Sequence, residues 1–374
     1  MLIPGHATEE GTARYRARFA SRLPGHFRRA QSLWLSSLGV GTYLGELGDV
    51  SDLHYRKSVT LAIEQGINVI DTAINYRHQR SERSVGAAIA ELVAEGKIPR
   101  DEIFVATKGG FLSFDGSQPA NAAAYFYDQV IRSGLASEQD VAAGCHVMTP
   151  KYLARQIETS RSNLGLETID LYYVHNPETQ LGCVGRAEFY RRLKSAFSAL
   201  EEAVEAGKIR AYGTATWNAY RAGSEAKDHM DLNEVLRAAE EAAGSDHHFR
   251  AVQLPLNLAM PEALVSRTQT LNGRSVPFMQ SAAARGLLVF ASASLLQGQL
   301  ASGLPENLAA RFARLTTDAQ RALQFVRSSP GVTSALVGMS TAAHVMENLA
   351  TVATPPLTME QYRALFASFA TGSE

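Results

Sequence analysis

IDLYYVH, residues 169–175, is an apolar, aromatic run of the length of one buried strand, and it closes on a histidine. Two earlier runs have the same form: INVID (67–71) closes on Asp71, and IFVATK (103–108) closes on Lys108. Each leads into a helical pattern, and Tyr76 follows five residues beyond Asp71. One polar residue at the end of a buried strand is ordinary. Three in succession point to a shared site, because the C-terminal ends of parallel strands converge in space.

Outward from these runs the pattern repeats. Eight candidate strands fall near 36–40, 67–71, 103–108, 169–175, 209–213, 250–254, 287–291 and 333–337. Between and after them, 52–65, 81–95, 150–164, 187–206, 232–243, 276–284, 316–328 and 341–352 carry apolar residues at helical spacing. Strand and helix alternating eight times predict an α/β fold of the closed (β/α)8 TIM-barrel type. Gly66, Gly165 and Gly207 sit where C-terminal helix caps belong, and Thr149-Pro150 reads as a helix start. Residues 1–35 read as an N-terminal arm packed on the barrel, and 36–374 as one barrel domain, although length alone does not decide domain count. A long insertion, 111–148, leaves the third strand on the face where the site is expected. Its stretch 122–134 reads as a helix, and Phe114, Tyr125, Phe126 and Tyr127 either wall a pocket or pack the insertion onto the barrel. A second insertion, 255–275, follows the sixth strand.

Composition narrows the function classes. With 45% hydrophobic and 20% charged residues the chain reads as an ordinary globular protein, and a formal net charge of −1 provides no field that would gather nucleic acid or anionic lipid. The longest apolar stretch, 286–296, is too short to span a membrane. The two cysteines, Cys145 and Cys183, have no metal or redox spacing and read as free thiols of a reducing, cytoplasmic setting, and the N-terminus lacks the apolar core of a secretory signal. The expected partner is a small molecule. No outer helix shows an interface stripe, so the sequence leaves the oligomeric state undefined.

The four polar residues make a proton-transfer set. A tyrosine hydroxyl is a weak acid near neutrality unless a cation favours its phenolate, and Lys108 is that cation. A lysine partly out of water needs an ionised partner, which Asp71 provides, and His175 is suited to hydrogen-bond a carbonyl oxygen. Nothing in the set delivers a hydride, so a reduction here needs a cofactor.

GINVIDTAINY (66–76), SERSVGAAI (81–89), ATKGG (106–110) and IDLYYVHNPE (169–178), in this order, resemble the successive motifs of the aldo-keto reductases. LGVGTYLG (38–45), AVQLPLN (251–257) and VGMSTAAHVMENLA (337–350) extend the resemblance to about 36–352. It implies a barrel that holds NADP(H), or NAD(H), without a metal, and reduces an aldehyde or ketone to an alcohol or runs the reverse. Tyr76 would be the general acid, Lys108 the group that tunes it, Asp71 the partner of Lys108, and His175 the carbonyl-orienting group. Gly41, Thr42, Asp71, Gln253, Thr216 and Asn218 would meet the nicotinamide end, with Ser292 and Leu295 also at the cofactor. Gly338, Met339 and Ser340, with His344, would receive the adenosine phosphate, and Glu347 and Asn348 would lie near the adenine. Tyr43, Phe111 and Trp217 would line the substrate pocket. The chain departs from the family in three places. It has Ala215-Thr216 where many members have Ser-Asn, and Ser292 where an aromatic residue often stacks on the nicotinamide. Gly338 and His344 stand where other members carry the Lys and Arg of strong NADP preference. Two alternatives share the fold: a non-catalytic NADP(H)-binding sensor, and a cofactor-retaining sugar lyase or epimerase.

Three further groups have bland readings beside functional ones. Arg77, His78, Arg80 and Arg83 form either an anion-attracting mouth or a solvated loop; Asp246, His247 and His248 look like a metal tripeptide but precede the sixth strand and read as a surface turn; and His146 either approaches the pocket or is a solvent-exposed or locally bonded loop histidine.

Overall fold

The computed structural model describes residues 1–312 and 314–367. Eight parallel strands close into a barrel: β1 (Leu38–Gly41), β2 (Val69–Asp71), β3 (Phe104–Gly109), β4 (Leu171–His175), β5 (Tyr212–Ala215), β6 (Phe249–Pro255), β7 (Leu288–Ser292) and β8 (Ser334–Gly338), with β8 paired back to β1. The surrounding helices are α1 (Asp49–Glu64), α2 (Arg80–Ala94), α3 (Pro150–Leu164), α4 (Arg186–Glu205), α5 (Leu232–Ala243), α6 (Phe278–Ala284), α7 (Asp318–Ser328) and α8 (Ala342–Val352). This is the (β/α)8 barrel expected from the alternating runs. One strand moved: the run at 209–213 joins the sheet as 212–215, because Ile209 only bridges Ile169 and the ladder to β6 has a bulge at Tyr212/Gly213.

Strand alternation decides what enters the barrel interior. Val69, Phe104, Ala106, Leu171, Tyr173, Ala251, Phe290 and Leu336 form one buried cluster inside it, and Phe104 stacks on Phe290 at 5.7 Å. Asp71, Lys108, His175 and Gln253 continue the same alternation by one step of two residues, so they share that interior at its C-terminal mouth. The intervening residues Ile70, Val105, Tyr172 and Val174 belong to the cluster under the helices.

The other end of the barrel is covered by the N-terminal residues. Ala7, Ala30 and Leu35 pack into the interior cluster, helix Glu9–Phe19 buries Tyr15 and Phe19, and a hairpin pairs Phe27–Ala30 with Leu33–Ser36. Arg14 pairs with Asp101 and Glu102, and Arg18 with Glu102, which ties this helix to acids near the start of β3. Thr149 caps α3 by accepting from Tyr152 N–H, and Gly165 ends it at φ 67°. The stretch 122–134 is a helix of two kinds, Ala122–Phe126 followed by a wider turn over Tyr127–Arg132.

Gly213 shows how tightly β5 and β6 are joined. A Cβ there would stand 2.0 Å from the Ala251 carbonyl oxygen, a backbone atom that cannot step aside. Gly213→Ala is therefore expected to cost about 1–3 kcal/mol, the usual range for overpacking, read as a lower urea midpoint. An unchanged midpoint would show that the two strands separate without cost.

Candidate active site

Lys108, fully buried, is the hub of the mouth. Its Nζ donates to Asp71 Oδ2 at 2.6 Å, to the Thr72 carbonyl at 2.9 Å and to Tyr76 OH at 3.2 Å, and it lies 4.7 Å from the centre of the Tyr76 ring. These partners use the three donors of an ammonium. Asp71 Oδ1 accepts from Gln253 Nε2 at 2.7 Å, so both carboxylate oxygens are occupied and the Gln253 amide nitrogen is engaged. Burial pushes the Asp71 carboxyl up, against the pull of Lys108 and Gln253. Burial opposes the Lys108 charge as well, but Asp71 and Tyr76 in contact hold that ammonium above its ordinary value. The Tyr76 hydroxyl is pushed up by burial and drawn down by Lys108, so it carries its proton at neutral pH. Burial, then the neighbouring Lys108, drives His175 well below its usual range, which leaves a neutral imidazole.

Rings fix the orientation of these groups. Tyr76 meets Tyr43 edge-on at 5.0 Å and His175 at 5.8 Å, and Phe111 meets His175 at 5.0 Å. The backbone behind Tyr76 is unusual: Arg77, His78 and Gln79 have φ of 49°, 55° and 71°, three successive left-handed residues without a glycine. Arg77 holds this turn. Its buried guanidinium bonds the Glu46 carbonyl at 2.9 Å and Asp52 at 2.7 Å, tying the turn to the loop after β1. Arg80 pairs with Asp49 and Asp52, and Arg83 with Asp115. Acids of α1 and of the insertion thus take these arginines, with Arg77 buried and Arg83 exposed on α2.

A cleft of ≈ 590 Å³ runs from these groups to the start of α8. Of the residues singled out in the sequence, Gly41, Thr42, Tyr43, Asp71, Tyr76, Phe111, His175, Thr216, Trp217 and Gln253 line it, as do Ser292, Leu295, Gly338, Ser340, His344, Glu347 and Asn348. Two do not. Met339 continues the outward alternation of Val337 and is buried under the helices, and Asn218 turns to Asp228 (3.1 Å) and lines a smaller cavity beside the cleft. Phe114 stacks on Phe126 at 4.7 Å and meets Tyr125, so these aromatics pack the insertion and are absent from the cleft wall.

His146 corrects the expectation of an exposed loop residue. It is fully buried, because the insertion folds back on the end of β3 (Val147 N–H to Gly110 O, 2.8 Å) and sets its Nε2 2.8 Å from the His175 carbonyl. Gly110, at φ 126°, leaves the room; a Cβ there would be 2.8 Å from that nitrogen. The Asp246–His248 turn precedes β6 at the far end of the barrel, with His248 Nδ1 2.7 Å from Glu201. Among the described residues no helix is long and apolar enough to cross a membrane.

Several lining residues were not singled out in the sequence: Asn75, Asn176, Ser294, Gln297 and Gly298. Asn176 directly follows His175, and that adjacency was a usable signal. The loop after β7 gave none, because Ala293, Leu296 and Gln297 adopt positive φ (51°, 47°, 53°) without the residue types that announce it.

A family model described as the aldo/keto reductase family matches residues 37–236. An aldo-keto reductase of Mycobacterium avium is 27% identical over 180 residues, covering 48% of this chain and 44% of that protein. An NADH-specific methylglyoxal reductase of Escherichia coli is 27% identical over 190 residues, covering 50% and 49%. The chain thus spans about half the length of the curated relatives it matches. Among solved structures, an aldo/keto reductase from Klebsiella pneumoniae in complex with NADP and acetate superposes with a TM-score of 0.60 at 21% identity, over 93% of this chain and 97% of that one. That likeness is one of fold.

Proposed function

The chain belongs to the aldo/keto reductase family, and on that premise we propose that its cleft binds NAD(P)H and reduces the carbonyl of a small aldehyde or ketone to an alcohol, or runs the reverse, with Tyr76 as general acid. The observation that carries this reading is the contact of Tyr76 OH with Lys108 Nζ at 3.2 Å on the floor of the cleft, with Lys108 itself held by Asp71. When bound, the reduced nicotinamide supplies the hydride. Tyr76 gives its proton to the carbonyl oxygen as charge develops there, and Lys108 stabilises the phenolate that remains. His175, neutral, orients the carbonyl through a hydrogen bond and adds no charge of its own. Phe111, Tyr43 and Trp217 give the cleft apolar surface beside Tyr76 and His175.

The cleft suits a dinucleotide in size and in chemistry. Gly41 and Gly338 offer bare backbone, and a Cβ at Gly338 would meet no atom within 4 Å. Ser340 lies just before α8, whose N-terminal turn is capped by Thr341 and presents free N–H groups to an anion. Trp217 supplies the aromatic surface that Ser292 does not. NADP(H) is the expected cofactor, as in the Klebsiella complex, with NAD(H) accepted, as by the Escherichia coli relative. No Lys or Arg is among the described residues lining the cleft, so the extra phosphate of NADP meets no full cation and only the exposed His344. Titration of tryptophan fluorescence is expected to give both nucleotides saturable binding, with dissociation constants within about tenfold, or 1.4 kcal/mol, of each other. Binding of neither would overturn the proposal.

A further inference from the structure

The loop after β5 carries Trp217 along the cleft, and charged side chains grip it from two sides. Glu178, in the turn Pro177–Gly182 just past β4, is only 8% exposed. Its Oε1 accepts the backbone N–H of Trp217 at 2.6 Å and that of Asn218 at 3.3 Å. From the other side Arg221 donates to the Trp217 carbonyl at 3.0 Å and to Asn218 Oδ1 at 3.2 Å, and is itself paired with Glu262 at 2.7 Å. Both peptide groups that flank the indole are thus held by an ion. Glu178 Oε2, by contrast, is buried without a partner among the described residues. Beside it lies a cavity of ≈ 310 Å³ lined by Asn176, Lys227 and Asp228, which gives the loop room to shift if the grip is released.

We propose that Glu178 is a positioning residue for Trp217: its carboxylate holds the loop so that the indole closes the substrate side of the cleft, and losing that grip weakens substrate binding ahead of the chemical step. The consequence for turnover rests on the reductase reading of the cleft; the grip itself does not. A carboxylate accepting backbone N–H groups makes bonds roughly twice as strong as its neutral form. The group sits near its switching point, because burial, against the pull of those N–H groups, pushes the Glu178 carboxyl up to about 7. The titratable groups around it are Lys227 and Asp228 across the small cavity, Arg221 behind the loop, and Tyr220. Titration of Glu178 across neutrality therefore alters its hold on the loop.

The test uses a Trp34→Phe background. The chain has two tryptophans, and Trp34 lies at the opposite end of the barrel beneath Arg16, so emission then reports Trp217 alone. Without nucleotide or substrate, the emission maximum is expected to shift as the pH crosses neutrality, with a midpoint near 7. Glu178→Gln, which keeps an acceptor oxygen but cannot titrate, removes that transition. Glu178→Leu is expected to raise KM for a carbonyl substrate about tenfold while kcat changes less than about threefold. Emission independent of pH, a transition that persists in Glu178→Gln, or a loss of kcat at constant KM would each overturn the proposal. If the parent shows the transition but binds no NADPH, the reductase reading fails and with it the KM prediction, while the grip on the loop stands.

Discussion

Tyr76→Phe is expected to lower kcat for carbonyl reduction by about 10²–10⁴-fold, the usual contribution of a positioned proton donor, while NADPH affinity changes less than about threefold. The substitution removes one oxygen and nothing else of consequence. The ring stays packed between Tyr43 and His175, and Lys108 keeps its bonds to Asp71 and the Thr72 carbonyl. The direction of the Tyr76 shift adds a pH signature. Burial outweighs Lys108 and keeps the phenol protonated at neutral pH, so reduction should be level there and fall only in alkali. Alcohol oxidation, which needs the phenolate as base, should rise over that same alkaline range. Steady-state kinetics in both directions, with a nucleotide titration of each variant, checks this. A Phe variant that retained most of its turnover would remove Tyr76 from the role of acid.

The second large effect lies at Lys108. Lys108→Met leaves Asp71 buried without its cation, and breaking a buried ion pair on one side typically costs about 3–5 kcal/mol. The accompanying loss of activity would then be ambiguous, but adding Asp71→Asn resolves it. Gln253 Nε2 can still donate to the amide oxygen, and no buried charge is left alone. The double variant is expected to regain most of the stability and none of the activity. The pH dependence follows from the sign of the Asp71 shift. In the single variant Lys108 no longer opposes burial, so the Asp71 pKa rises further above its unfolded value. The penalty is then absent below the unfolded value and grows as pH rises towards the folded one, so the single variant loses least stability in acid. Urea melts at two pH values measure it; a double variant as unstable as the single one would contradict the account.

Much of this architecture was legible because barrel strands are buried on both faces and read as apolar runs. The alternation that sends Val69 and Phe104 inward also sends Asp71 and Lys108 inward, so the strand-end residues were found from pattern and convergence alone. Family resemblance reached further along the cleft but carried no side-chain direction. Met339 aligns with a cofactor loop, yet the same alternation turns it outward into the core. What escaped the sequence depends on contacts between distant segments. Glu178 lies within the stretch IDLYYVHNPE with no local mark of its role; the loop some forty residues later lays its N–H groups on it. His146 escaped likewise, since its burial requires the insertion to fold back on β3. The positive-φ turns at 77–79 and 293–297 mostly use residues with no intrinsic preference for that conformation, so the surrounding structure, and not the local sequence, selects them.

The central claim is that hydride passes to a carbonyl in this cleft with Tyr76 giving the proton, and isotope transfer tests it most directly. The protein is incubated with an aromatic aldehyde and NADPH deuterated at its transferable position, and the product is weighed by mass spectrometry. The account predicts one deuterium on the alcohol carbon, one nucleotide oxidised per alcohol formed, and near-complete loss of both in Tyr76→Phe. Saturable NADPH binding with no nucleotide oxidised across a panel of aldehydes, ketones and sugars would contradict it and favour a sensor or a cofactor-retaining lyase.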